Sequence, residues 1–351
     1  MKIDAVEPIL AHDKFLLLKV VTDTGLVGYG EAGLHGVPEA AEAALRTFAR
    51  DLVGQDPLRI EHHFQRYYRF SHFRGAAICA ALSAIDIALW DIAGTHFQAP
   101  VWQLLGGKVR DRVRLYMHVN GRTAGELAAD AAAAARAGFT AVRFDAVSPA
   151  TDPPYWDRAH SWVVQEGIER VGAVREAVGV EVDLCVEVHR RLDVATAIEL
   201  GRAIADLRPL FYEDPIRPDS VDSMAEVQRH VPVPIATGER HHTIWEFREL
   251  LERRACRFVR PDVCHAGGIT QCKKIAGLAE AFDVGVIPHN PLTPVSTAAC
   301  VQLDACIPNF ALQEYTGEDQ PPKRDMVVAP LVLEGGYLKV PEAPGIGVEL
   351  N

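Results

Sequence analysis

The sequence predicts an α/β protein built on a (β/α)8-type barrel, with a smaller α+β capping domain beside it. Three observations carry this prediction: a strand-rich and then helical beginning, a strand-helix unit that recurs about every 25 residues in the middle, and a strand-like tail. A chain of 351 residues, 48% of them hydrophobic, is long enough for a barrel and a second domain.

The capping domain is predicted at the start of the chain. Residues 1–33 alternate between apolar and polar side chains and carry a turn signal at Thr24-Gly25, which is typical of an antiparallel sheet. The following segment changes to helical spacing, as in AALSAIDIALWDIAG. We therefore expect a cap at residues 1–111, completed by residues 319–351, because the run VVAPLVLEGGYLKV fits this domain better than the barrel.

The barrel is predicted over residues 112–318. Eight β-rich runs are each followed by a helical stretch: VRLYMHVN, TAVRFDA, VEVDLCVEV, LFYEDP, VPIATGE, RFVRPDV, VGVIPHN and NFALQEY. The longest gap between them, from Arg143 to Glu187, contains VSPATDPPYWDRAHSW and is expected to be an extra loop. Long loops in compact domains tend to be functional.

The predicted strands end in ionisable side chains. These residues are Glu187, Glu213, Glu239, Asp262, His289 and Glu314. Barrel strands often end in a polar residue as they leave the core, so one such residue says little. Six in succession indicate an active site at the carboxyl ends of the strands, where barrel enzymes place it.

Three of these residues, on adjacent strands, suggest a metal site. Carboxylates as close as Glu187, Glu213 and Glu239 would be cannot all ionise without a cation. Oxygen ligands alone indicate a hard ion, so we expect one Mg²⁺ per subunit, with Mn²⁺ as a substitute. Asp183 shares the face of Glu187 but lies four residues deeper, roughly 13 Å at the usual strand rise, too far to compete.

Two histidines suggest acid-base chemistry. Asp262 and His289 follow neighbouring predicted strands, and a carboxylate on one imidazole nitrogen raises the basicity of the other. His189 follows Glu187 by two residues, across the barrel from His289. A lone histidine is usually a surface or core residue, but this placement favours one proton abstraction and one protonation of a leaving group.

The combined motifs resemble the mandelate racemase subgroup of the enolase superfamily, whose barrel is a modified (β/α)7β form. The resemblance covers nearly the whole chain and is carried by EVH, YEDP, TGER, RPDVCHAGGIT, PHNPLTP and QEY at the strand ends, by ALWDIAG and PVWQLLGG before the barrel, and by the tail GYLKVPEAPGIGVEL.

This resemblance implies roles for the strand-end residues. The three glutamates would bind the metal, and the pair His289 and Asp262 would be the base. Glu314 would hydrogen-bond the enolate oxygen, and His189 matches the acid that expels the 3-hydroxyl in acid-sugar dehydratases of the galactonate and gluconate type.

The sequence departs from the subgroup at two places. The first metal ligand is usually Asp, whereas Glu187 adds a methylene. Arg143 and Asp145 stand where other branches carry a lysine pair, which weakens a racemase or cycloisomerase interpretation. We expect substrate contacts from these two residues and from Tyr155, as well as from Arg74 and His72 in the FSHFRG segment.

The predicted function is that of a Mg²⁺-dependent dehydratase of a sugar acid, such as galactonate, gluconate or xylonate, giving a 2-keto-3-deoxy acid. Three alternatives stay open: mannonate dehydration with Tyr155 as the base beside Arg143, an epimerase or racemase on the same scaffold, and a non-catalytic member of the superfamily. The GLVGYGEAGLHG segment of the cap is a further candidate for substrate selection.

Composition limits the partners. A net charge of −11 argues against nucleic acid and membrane surfaces, which attract basic proteins. We expect no signal peptide and no apolar run of membrane-spanning length, seven reduced cysteines, and a cytoplasmic location. The expected partner is a small sugar acid, and a symmetric homo-oligomer is the usual assembly for such barrels.

Overall fold

The computed structural model describes residues 1–70, 72–148 and 154–351, without the side chains of Phe70 and Tyr155. The strands are β1 Ile3–Ala11, β2 Phe15–Thr22, β3 Val27–Ala32, β4 Arg112–His118, β5 Ala141–Asp145, β6 Asp183–Glu187, β7 Phe211–Glu213, β8 Ile235–Thr237, β9 Phe258–Val259, β10 Gly285–Val286, β11 Gln313–Tyr315, β12 Leu333–Glu334 and β13 Tyr337–Lys339. The helices are α1 Pro38–Leu52, α2 Ile60–Phe70, α3 Ala76–Phe97, α4 Val101–Leu104, α5 Ala124–Arg136, α6 His160–Val178, α7 Val194–Ala203, α8 Val221–His230, α9 Thr243–Glu252, α10 Gly268–Glu280 and α11 Pro294–Cys306.

The capping domain is an antiparallel sheet packed against helices. Strands β1, β2 and β3 pair in sequence order, and helix α3 lies against β3. Gly30 in β3 makes this close packing possible, because a Cβ there would lie 2.0 Å from the carbonyl oxygen of Ala84 in α3. The glycines of the GYG run therefore serve packing rather than turn formation.

Helix α3 corrects one expectation from the sequence. Its 22 residues, with a mean hydropathy of 1.8 over the most apolar window, are long and apolar enough to cross a membrane. In the structure 78% of that window is buried inside the protein, between the cap sheet and helices of both domains. α3 is thus a core helix, and its composition reflects burial on all sides.

The barrel has the eight strands that the sequence predicts. Strands β4 to β10 pair in parallel in sequence order, and β11 pairs with β4. An isolated parallel bridge between Val286 and Phe310 links β10 to the residues before β11 and completes the circle. The interior is filled by side chains from the strands and from the residues that directly follow them, among them Tyr116, Phe211 and Ile287, which are fully buried. The fold prediction is confirmed.

Local sequence signals start several of the surrounding helices. Thr123 and Glu126 form a reciprocal capping box at α5, and Asp193 and Ser220 accept hydrogen bonds from the first turns of α7 and α8. All seven cysteines are buried and free of disulfides.

The tail contacts both domains. Strand β13 of its short hairpin pairs with the beginning of barrel strand β4. Farther on, Ile346 donates its backbone N–H to Asp91 of α3, over 2.8 Å, and Gly345 forms a bridge with Pro100. The tail therefore ties the cap to the lower part of the barrel.

Candidate active site

Three glutamates meet at the carboxyl ends of adjacent barrel strands. Glu187 and Glu213 are the last residues of β6 and β7 and lie opposite each other in the strand register, while Glu239 follows β8 by two residues. One carboxylate oxygen from each lies within 4.8 Å of the others. Asp183 lies at the opposite end of β6, where it pairs with Arg114 at 2.8 Å, so it takes no part in this cluster.

The electrostatics of the cluster fit a divalent cation. Glu187 and Glu213 are 0% and 1% exposed. Burial and the charge of Glu187 raise the pKa of Glu213 well above its usual range, although Arg260 opposes them. Oε2 of Glu213 is buried and has no hydrogen-bond partner among the residues that the structure describes. An orphaned carboxylate oxygen between two other carboxylates suits a hard cation, and the oxygen-only donor set suits Mg²⁺ or Mn²⁺.

Each glutamate also contacts its own arginine. Arg143 Nη2 lies 2.9 Å from Glu187 Oε2, Arg260 Nε lies 2.7 Å from Glu213 Oε1, and Arg190 Nη1 forms a short ion pair with Glu239 Oε1. Burial would raise the pKa of Glu187, but His189 and Arg143 lower it to about 2. Arg190 and Arg260 were not singled out in the sequence, where they read as ordinary residues near strand ends.

His289 and Asp262 form the hydrogen-bonded pair that the sequence predicts. His289 Nδ1 lies 2.8 Å from Asp262 Oδ2, and its Nε2 lies 3.4 Å from Glu239. Burial alone would lower the pKa of His289, but Glu239, Glu314 and Asp262 raise it to about 9. Nε2 is left as the nitrogen that can exchange a proton with a ligand.

His189 has a comparable partner on the other side of the barrel. Its Nδ1 lies 2.8 Å from Asp145 Oδ1, and Arg143 Nη2 approaches its Nε2 at 2.7 Å. Because a guanidinium only donates, Nε2 accepts here and Nδ1 carries the hydrogen. Arg143 and Asp145, which are expected to contact substrate, both contact His189, and Arg143 also contacts Glu187.

Glu314 is held by three hydrogen-bond partners. Its Oε1 lies 2.7 Å from His118 Nε2, and its Oε2 accepts from Arg260 and from the backbone of Asn290, each over 2.7 Å. Burial would raise the pKa of Glu314, but Arg260 and His289 hold it well below its usual range. In this arrangement Glu314 fixes the positions of His118 and Arg260.

A cavity of about 600 Å³ opens beside these residues. Its walls come from both domains and comprise Gly33, Leu34, His35, Ala76, His189, Arg190, Glu239, Arg240, His242, Asp262, His265, His289, Pro291 and Leu292. This volume is within the usual range for small-molecule sites. His242 Nε2 and His265 Nδ1 are buried there without hydrogen-bond partners in the described part of the chain, a feature the sequence did not signal.

Two further residues predicted to contact substrate belong to the cap. His72 and Arg74 are exposed and are not among the described residues that line the cavity. The side chain of Tyr155 lies outside the described part of the structure. In the GLVGYGEAGLHG segment, residues 27–32 form strand β3, and the loop residues after it reach the cavity.

Comparison with known proteins finds a matching family model for each of the two domains. A family model described as Mandelate racemase / muconate lactonizing enzyme, N-terminal domain matches residues 8–106, and one described as Enolase C-terminal domain-like matches residues 126–351. Proteins called D-galactonate dehydratase from Ralstonia nicotianae and Variovorax paradoxus are 37% and 35% identical to this chain. Both alignments cover 100% of this chain and 92% of the relative.

Solved structures agree with that placement. A member of the enolase superfamily from Salmonella Typhimurium superposes with a TM-score of 0.95 at 31% identity, over 100% of this chain and 96% of the other. A mandelate racemase/muconate lactonizing enzyme-like protein from Roseovarius sp. TM1035 gives 0.92 at 35% identity, over 100% and 93%. This chain therefore belongs to the enolase superfamily, in its mandelate racemase subgroup.

Proposed function

We propose that the protein is a Mg²⁺-dependent dehydratase that converts an aldonate, with galactonate first among the candidates, to a 2-keto-3-deoxy acid. The observation that carries the proposal is a three-glutamate cluster whose cavity is shared by two histidines, each held by its own carboxylate. Relatives that cover the whole chain are called D-galactonate dehydratase, which supports the substrate class.

Glu187, Glu213 and Glu239 would hold the metal. When bound, Mg²⁺ supplies positive charge that stabilises the enediolate formed when a sugar acid loses its α-proton. Without a cation, repulsion between the three carboxylates opposes their close arrangement in this buried place.

His289 is the proposed base. Asp262 fixes the tautomer through Nδ1, so Nε2 faces the cavity and accepts the α-proton from C2. His289 must be neutral to accept this proton. The negative charge of Glu239 raises the pKa of His289, so that charge must be compensated first.

His189 is the proposed acid. Strands β6 and β10 are the third and seventh of eight, so His189 and His289 approach a ligand from opposite sides of the barrel. Loss of the 3-hydroxyl as water needs a proton on Nε2 of His189. Because the guanidinium of Arg143 donates a hydrogen bond to Nε2 here, it must move away before that nitrogen can be protonated. The resulting enol then tautomerises to the 2-keto-3-deoxy acid.

A panel of aldonates incubated with the protein and Mg²⁺ tests the proposal through formation of 2-keto-3-deoxy acid. We expect turnover of at least one aldonate, loss of turnover in His289→Asn, and retention in His12→Asn, which changes an exposed histidine. His189→Asn should still exchange the α-proton with D2O while failing to eliminate water. Absence of turnover on every acid sugar would contradict the proposal, and retention by His289→Asn would favour Tyr155 as the base.

A further inference from the structure

Arg190 occupies an unusual position beside the glutamate cluster. It follows His189 at the end of β6, with a backbone φ of 65°. That conformation suits glycine and is unfavourable for a long side chain. The guanidinium contacts Glu239 and lies 3.0 Å from Asp214 Oδ2. A strained backbone that places a charge between two carboxylates points to a use for that charge.

Arg190 also stands between the cavity and the cluster. Both Arg190 and Glu239 line the cavity, with side chains 24% and 12% exposed. Glu187 and Glu213 lie behind that wall, with side chains 0% and 1% exposed. An ion arriving from the cavity therefore meets the ion pair of Arg190 with Glu239 before it meets the other two carboxylates.

The other two arginines of the cluster are held more firmly. Arg260 is 1% exposed and is fixed by Glu213, Glu314 and Tyr116. Arg143 has a side chain 10% exposed and contacts Glu187 and His189. Arg190 is the most exposed of the three, and a second cavity of about 620 Å³ lies on its far side. It can withdraw toward that space and keep Asp214 as a partner.

We propose that Arg190 is a removable counter-ion, which closes the cluster when no cation is bound and must release Glu239 before a divalent cation can bind. This inference rests on the metal site of the proposed function. A guanidinium and a divalent cation cannot share the same side of one carboxylate without strong repulsion. Arg190 therefore lowers the cation affinity of the site and makes binding depend on movement of the cavity wall.

Calorimetric titration of the full-length protein with MgCl2 and with MnCl2 tests this inference. Arg190→Gly removes the charge and suits the positive φ, so it should fold. It should bind either cation roughly tenfold more tightly than the wild type. A change of this size corresponds to the interaction energies found between residues in contact. Arg190→Lys, which keeps the charge but loses the planar fork, should fall between the two.

Arg217→Gln is the matched control, because it removes one exposed arginine from the second cavity without touching Glu239. Its cation affinity should equal that of the wild type. Equal or weaker binding by Arg190→Gly would overturn the inference. If the wild type still dehydrated an aldonate in that case, the proposed function would stand while the role of Arg190 would fall. Binding of no cation by either protein would overturn the inference together with the metal site.

Discussion

At the scale of single residues, the site balances charge within a few ångströms. Three glutamates and three arginines lie together at the strand ends, and the buried members of this set have little contact with water. Buried ions are tolerated when each has a partner, and removal of one partner leaves the other uncompensated. The arginines thus compensate part of the negative charge that the three glutamates bring together.

Arg260 provides a direct test of this balance. Arg260→Met would leave Glu213 and Glu314 buried without their shared cation, so we expect a loss of about 3–5 kcal/mol in the free energy of unfolding. Urea unfolding in the presence of EDTA measures it. Arg253→Met, which breaks an exposed pair with Asp222, should change stability by less than about 1 kcal/mol. A similarly small loss for Arg260→Met would contradict the account.

Asp86 provides a pH test at the contact between cap and barrel. Burial raises its pKa from 3.8 to about 7, although hydrogen bonds from Thr270 oppose the shift. The folded state therefore binds this proton more tightly than the unfolded state, and its contribution to stability falls as pH rises from about 4 to about 7.

The expected result concerns the difference between wild type and Asp86→Asn. Relative to the variant, the wild type should lose a few kcal/mol of unfolding free energy between pH 5 and pH 8, at about 1.4 kcal/mol per pKa unit. Urea unfolding at both pH values measures this, with Asp13→Asn, an exposed change, as the control. A difference that stays constant with pH, or moves in the opposite direction, would show that Asp86 is ionised in the fold.

The sequence predicted residues whose place follows from strand ends. The three glutamates meet because their strands are neighbours, and His289 meets Asp262 for the same reason. Arg190 and Arg260 were missed, because an arginine near a strand end usually reaches solvent and the pattern does not show which carboxylate it faces. The direction of Glu314 was likewise set by His118 and Arg260, partners that are distant in sequence.

At the scale of elements, the sequence predicts the spacing of the barrel strands but not their lengths. The eight barrel strands fall where the 25-residue recurrence predicts them, but β9 and β10 have only two paired residues each. Glu239, Asp262 and His289 consequently lie beyond their strands, on the loops that follow. The alternation over residues 1–33 predicts a strand that the structure has as β3, Val27–Ala32. It does not show that Gly28 and Gly30 allow this strand to pack closely on helix α3.

Gly30 tests that packing. Gly30→Ala would place a Cβ 2.0 Å from a backbone oxygen of α3, which a side-chain rotation cannot relieve. We expect destabilisation by roughly 1–3 kcal/mol, as for other overpacked cores. Gly277→Ala, on an exposed part of α10 with no atom near the new methyl group, should instead stabilise by about 0.5–1 kcal/mol. Thermal melts of both variants would decide, and unchanged stability of Gly30→Ala would contradict the packing.

At the scale of the whole molecule, the cap and the barrel complete one site. Glu31 of β3 accepts hydrogen bonds from Thr293 and Ser296 at the beginning of α11, and the backbone N–H of Gly33 donates to Cys264 over 2.7 Å. These contacts hold Leu34 and His35 against the cavity. The homo-oligomer and the cytoplasmic location stay predictions.

The most direct test of the central claim is anomalous diffraction from a crystal soaked in MnCl2. We expect one strong peak per chain, about 2.1 Å from a carboxylate oxygen of each of Glu187, Glu213 and Glu239, with Arg190 withdrawn from Glu239. A peak elsewhere, or no peak at saturating Mn²⁺ with the three arginines still paired to the glutamates, would contradict it.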